Sequence, residues 1–146
     1  MKSKKNLSAT ARISIPFHDC DPFNIVWHGH YIKYFEAARE VFGKDFEFDY
    51  SAFYDKGFAT PIIHAEADYK RPLRYRDVAL ITATFVKTDA AKIIFHYEIK
   101  NEKTGELICT GNTVQVLVAA KTMELLLTIP DFLETWMLQV GLTNES

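Results

Sequence analysis

Cysteine is scarce in this 146-residue chain, and the two present, Cys20 and Cys109, form no C-x-x-C pair. That excludes a disulfide framework and a thiolate metal knuckle, and it fits reduced thiols in a cytoplasmic protein. Glycine is also thin, at six residues, with no Gly/Ser-rich stretch and no internal repeat to mark a linker. One domain over residues 1–146 is therefore expected. No apolar run has the length of a membrane span. The basic start Met1-Lys2-Ser3-Lys4-Lys5-Asn6 lacks the apolar segment of a signal peptide. Excess positive charge is missing too: the formal net charge is -2 and the pI about 6.2. Broad nucleic-acid binding is excluded on that ground, because it needs a net basic surface to displace counterions. No G-x-S-x-G elbow occurs, which excludes that form of serine hydrolase.

Aromatic residues are abundant. They make up 14% of a chain that is 48% hydrophobic and 25% charged, the balance of a soluble globular domain whose rings line a core, an interface or a pocket. Residues 8–17 alternate loosely, with Ala11, Ile13 and Ile15 against Arg12 and Ser14, and read as a first strand. The loop His18-Asp19-Cys20-Asp21-Pro22-Phe23-Asn24 follows, rich in residues that bond their own backbone. Tyr31, Tyr34, Phe35, Ala38 and Phe42 then form one apolar stripe at helical spacing, with Gly43 as the expected stop. A short helical piece is predicted at 51–56, ended by Gly57.

From residue 60 the chain turns to β-patterns, alternating over 61–69 and then rich in Val, Ile, Thr and Phe. Strands are expected over 61–69, 78–87, 92–100 and 106–119, the last two joined by a hairpin loop at 101–105. In the first of these, Ala65 and Ala67 would let a helix sit close. Pro130 opens a terminal helix that Gly141 ends. Strand, long helix, four strands and short helix define an α+β domain whose antiparallel sheet of about five strands wraps one central helix.

Residues 17–39 read Phe17-His18-Asp19-Cys20-Asp21-Pro22-Phe23-Asn24-Ile25-Val26-Trp27-His28-Gly29-His30-Tyr31-Ile32-Lys33-Tyr34-Phe35-Glu36-Ala37-Ala38-Arg39. This D-x-D-x4-V-x-H-x2-Y spacing resembles the signature of the 4-hydroxybenzoyl-CoA thioesterase family of hotdog-fold proteins. The resemblance implies an acyl-CoA thioesterase acting on a short-chain, medium-chain or aromatic acyl group. It implies Asp21 as the catalytic carboxylate, nucleophile or general base, and a backbone N–H at His28 aimed at the thioester oxygen. It also implies a homo-oligomer, a dimer or dimer of dimers with sites between chains, and no cofactor beyond the coenzyme A of the substrate. Relatives selective for hydroxybenzoyl groups carry Tyr where His28 stands.

The chemistry agrees with those residue types. Thioester hydrolysis builds negative charge on the carbonyl oxygen, which donors at a helix start stabilise. A carboxylate must attack or activate water. Each residue also has a plainer role. Asp21 can cap a turn, and His28 can be an ordinary helix-start histidine whose amide acts without its ring. Asp19 reads as structural, bonding loop amides. Asp19, Asp21, His28 and His30 form a hard-metal ligand set on paper. On a helix, however, His28 and His30 would point roughly 200° apart, so no metal is expected. Arg71, Arg74 and Arg76 are either a solvated loop or the seat of the coenzyme A phosphates. Glu36 is held as a second candidate carboxylate, and His64 and His96 as core or interface residues. Two other readings stay open: a hotdog enoyl-CoA hydratase or dehydratase, whose D-x-N-P-x-H spacing is shorter, and a non-catalytic acyl-CoA-binding module.

Overall fold

The computed structural model describes residues 7–142. Its elements run β1 (Ser8–Ser14), α1 (Tyr31–Asp45), α2 (Tyr50–Tyr54), β2 (Phe58–Ala59), β3 (Ile62–Tyr69), β4 (Val78–Val86), β5 (Lys92–Asn101), β6 (Leu107–Val116), β7 (Val118–Ala119) and α3 (Asp131–Gln139). Five strands form one antiparallel sheet in the order β1-β4-β5-β6-β3, and β2 pairs with β7 in a separate two-stranded ribbon. The α+β expectation and the five-stranded count hold. The ribbon, two residues per strand, is new.

Alternation explains which face of the sheet is buried. In β4 and β5, Ala79, Ile81, Ala83, Ile93, Phe95, Tyr97 and Ile99 are all buried and meet the stripe Tyr31, Tyr34, Phe35, Ala38 and Phe42 of α1. The ring of Phe35 stacks on Tyr97 at 4.5 Å between centroids, and burying such a ring contributes about 2–3 kcal/mol. Gly111 of β6 lies under the helix, where an added Cβ would run into the Phe35 ring and the Glu66 carbonyl. The sequence expected small residues at Ala65 and Ala67 to let the helix sit close, and α1 does reach β3, where Tyr31 meets Tyr69 and Ala67 packs against the core. Ala65 is exposed and Ala67 only partly covered, as befits a strand at the sheet edge.

The far end of α1 is an aromatic knot. Trp136 of α3 stacks on Phe48 at 4.1 Å, and its indole N–H donates to the Phe46 carbonyl at 2.8 Å. The helix runs two residues past the expected stop. Gly43 does not terminate it; a Cβ there would sit tightly, 3.0 Å from the α-carbon of Asp49. Pro130 stands just before α3 in extended conformation rather than inside its first turn.

Candidate active site

The loop between β1 and α1 is built as a small hairpin. Asn24 N–H donates to the Asp21 carbonyl at 2.9 Å and Asp21 N–H to the Ile25 carbonyl at 2.8 Å. Asn24 takes φ 66°, the left-handed conformation that a turn followed by one bulged residue requires. Cys20 pairs with Val26, and Trp27 N–H then donates to the Asp19 carbonyl at 3.0 Å. The outgoing limb thus carries Asp19 and Asp21, and the returning limb leads directly into His28. A 3₁₀ turn over His28–His30 feeds α1. Among the described residues, the N–H groups of His28 and Gly29 have no hydrogen-bond partner, as expected for helix-start donors.

Asp21 is half-buried, and one of its oxygens accepts from Phe23 N–H at 2.8 Å. The plainer capping role read from the sequence is therefore present. The second oxygen bonds nothing among the described residues. The His28 ring is exposed and lies 5.0 Å from Trp27, while its carbonyl accepts from the Tyr69 hydroxyl at 3.1 Å.

Asp19 differs from its sequence reading. It is structural, but its carboxylate bonds no loop amide. It is 2% exposed and accepts from the Tyr34 hydroxyl at 2.6 Å and from Lys33 Nζ at 3.0 and 3.1 Å, with His30 Nε2 3.8 Å away. Burial pushes this carboxyl up, but the bonds from Tyr34 and Lys33 and the charges of Lys33 and His30 outweigh it and hold the group below its ordinary value. Cys20 moves the other way. Burial, with Asp19 and Asp21 on either side, raises its thiol, so it stays protonated and un-nucleophilic at neutral pH. Both cysteines are free.

The arginine loop packs against this hairpin. Val26 N–H donates to the Leu73 carbonyl at 2.8 Å, and Ile25 pairs with Arg74. Arg74 is therefore brought to the hairpin. Arg76, at φ 77°, sets its guanidinium over the Tyr75 ring at 5.3 Å. Arg71 stands apart, 3.9 Å from Glu106. All three arginines are exposed.

The sequence did not reveal a cleft of about 650 Å³ between α1, the 48–53 segment and the sheet. Its walls include Lys33, Glu36, Phe48, Phe53, Phe95 and Gln115, an aromatic floor with a polar rim. Gln115 is fixed by a 2.8 Å bond from its amide to the Thr60 carbonyl. Lys33 belongs both to this cleft and to the Asp19 cluster, so the two adjoin. Glu36 is thus a cleft residue. His64 and His96 lie outside the core: His64 pairs with Glu66 at 2.7 Å, and His96 with Asn112 at 3.1 Å. Among the described residues, no three His, Cys, Asp or Glu side chains are placed to hold a metal ion. No helix there is long and apolar enough to cross a membrane.

A sheet wrapped on one long helix, with a carboxylate loop leading into that helix, is the hotdog arrangement. The chain belongs to the Thioesterase-like superfamily, whose family model matches residues 15–137, and its class is thioester hydrolase. Bacillus subtilis YneP, which carries an acyl-CoA thioesterase name, is 28% identical over 106 residues, covering 73% of this chain and 76% of YneP. The crystal structure of Slr0204, a 1,4-dihydroxy-2-naphthoyl-CoA thioesterase from Synechocystis, superposes with a TM-score of 0.80 at 20% identity, over 93% of this chain and 99% of that one. An Asp-to-Asn variant of 4-hydroxybenzoyl-CoA thioesterase, complexed with 4-hydroxybenzoyl-CoA, superposes with a TM-score of 0.76 at 20% identity, over 89% and 98%. At those identities the two structures speak for the fold.

Proposed function

We propose that the protein hydrolyses an acyl-CoA thioester, of short, medium or aromatic acyl chain, to the free acid and coenzyme A. Asp21 acts as base on water or as nucleophile, and the N–H of His28 receives the charge that develops on the carbonyl oxygen. The observation that carries this reading is the hairpin itself. Among the described residues, it holds a carboxylate with an unbonded oxygen on one limb and two unpartnered helix-start donors at the end of the other. Losing one such donor costs roughly 3–4 kcal/mol of barrier, and a positioned base contributes about 10²–10⁴-fold.

The cleft beside Lys33 is within the size range of small-molecule pockets and serves the acyl group. Arg74 and Arg76 serve the coenzyme A phosphates, for which guanidinium forks are suited. Edge strand β3 serves a second copy. Its side chains are exposed on both faces, Ile63 at 57% and Tyr69 at 51%, where β1 alternates normally. A monomer at micromolar concentration in sedimentation would remove that part of the reading. The reduced cysteines fit a cytoplasmic setting.

The test is a panel of acetyl-, butyryl-, octanoyl- and benzoyl-CoA with a thiol-detecting dye, repeated with Asp21→Asn. Asn keeps the shape and the Phe23 bond but not the base, so thiol release should fall at least about a hundred-fold with the fold intact. Turnover unchanged in that variant would sink the mechanism. Failure to release thiol from any member would sink the substrate class.

A further inference from the structure

We propose that Asp19 is the positioning residue of this site: through its carboxylate and its carbonyl it clamps the limb that carries Asp21 against the first turn of α1 and the His28 amide. The inference rests on the reading of Asp21 and His28 given above.

The bonds that Asp19 accepts come from both sides of His28. Trp27, one residue before it, donates its N–H to the Asp19 carbonyl at 3.0 Å. Beyond it, Lys33 and Tyr34 donate to the carboxylate, Tyr34 at 2.6 Å. The amide proposed to meet the thioester oxygen thus lies on a segment tied to one residue at both ends. Asp21 is two residues along from Asp19, so movement of one limb is movement of both.

Two observations separate this from an ordinary loop aspartate. A turn-capping carboxylate bonds amides of its own loop, as Asp21 does with Phe23. The Asp19 carboxylate instead bonds side chains of α1. It also keeps a charge at 2% exposure, which is tolerated only because an ammonium and a phenol both donate to it. Around it stand His18 at 3.8 Å from the solvent side, His30 at 3.8 Å from the helix turn, and Cys20 and Asp21 on its own limb. None of these replaces the Tyr34 bond. A displacement of about 1 Å at reacting groups costs on the order of 100-fold in rate, which sets the size of the expected effect.

The experiment measures kcat and KM for butyryl- and benzoyl-CoA in Asp19→Ala, Asp19→Asn and Tyr34→Phe, each with its melting temperature, beside Asp21→Asn. Asp19→Ala should lower kcat about 100-fold with KM within about three-fold. Asp19→Asn retains an acceptor for Tyr34 but not the ion pair, and should fall between Asp19→Ala and wild type. Tyr34→Phe should lower kcat in the same sense. A merely structural aspartate would lower the melting temperature and leave kcat of the folded enzyme unchanged. Should Asp19→Ala fail to fold, Asp19→Asn and Tyr34→Phe decide alone. If those two keep kcat within two-fold, or lose activity only through KM, while Asp21→Asn is inactive, the positioning role is overturned and the active-site reading stands. If Asp21→Asn is fully active, both fall.

Discussion

The Tyr69 hydroxyl, on edge strand β3, donates to the His28 carbonyl at 3.1 Å, and its ring meets Tyr31 edge-on at 5.2 Å. The strand proposed to pair with a second copy is therefore joined to the turn that opens α1. Anything that shifts β3 shifts the peptide next to the proposed oxyanion donor.

Tyr69→Phe removes that bond and keeps the ring packing. A single hydrogen bond contributes about 0.5–1.5 kcal/mol, so stability should fall by no more than that. The rate should suffer more, by roughly three- to ten-fold in kcat, because the freed peptide adjoins the proposed oxyanion donor. Steady-state kinetics beside a thermal melt would decide it, and equal kcat in the two proteins would show that the bond is incidental.

Gly111→Ala is expected to be disproportionately harmful for one methyl group. The added Cβ meets the Phe35 ring and the Glu66 carbonyl, so either α1 lifts from the sheet or the β3–β6 pairing opens. Overpacking of this kind typically costs about 1–3 kcal/mol. Urea titration should register a lower midpoint. An unchanged midpoint would mean that the helix has slack over β6.

Acid should weaken the fold partly through Asp19. Its carboxyl lies below its ordinary value when folded, so the unfolded chain takes up the proton first. The stabilisation is complete well above about pH 4, the unfolded value of an aspartate, begins to fade near it, and is lost as pH drops through the lower folded value. Asp19→Asn lacks this component. The gap in melting temperature between wild type and variant should accordingly narrow from about pH 5 to pH 3, as scanning calorimetry can follow. A gap that stays constant or widens would contradict the assignment.

Among the arginines the effect should be unequal. Arg74 pairs with Ile25 of the hairpin and Arg76 donates its N–H to the Ile15 carbonyl just before it, whereas Arg71 lies 3.9 Å from Glu106. Alanine at 74 or 76 should raise KM for butyryl-CoA several-fold and leave butyryl-pantetheine, which lacks the nucleotide, unaffected. Alanine at 71 should change neither. Equal losses on both substrates would assign the loop to something other than phosphate.

Much of the architecture was readable because it follows period and composition. The stripe from Tyr31 to Phe42 located α1, and richness in Val, Ile, Thr and Phe located β4 and β5, whose burial then alternates. The two-residue strands β2 and β7 have no period to read. Gly43 misled because a glycine near a helix end commonly stops it, while here it lies inside α1 where space beside Asp49 is tight. In the site, the D-x-D loop was visible, but the carboxylate of Asp19 was matched with the wrong partners. One signal was available: Tyr34 lies on the buried stripe, and a buried phenol needs an acceptor. The cleft had no such signal, since Lys33, Phe53, Phe95 and Gln115 converge only after folding.

The two tryptophans of the chain mark opposite ends of α1. Trp136 is 8% exposed in the aromatic knot, whereas Trp27 is 49% exposed and lies within 5.0 and 5.4 Å of the imidazoles of His28 and His30. Their emission should separate into a blue component from the sealed end and a red, imidazole-quenched one from the loop. The native protein consequently carries its own optical gauge, red light reporting on the loop before α1 and blue light on the sealed aromatic end.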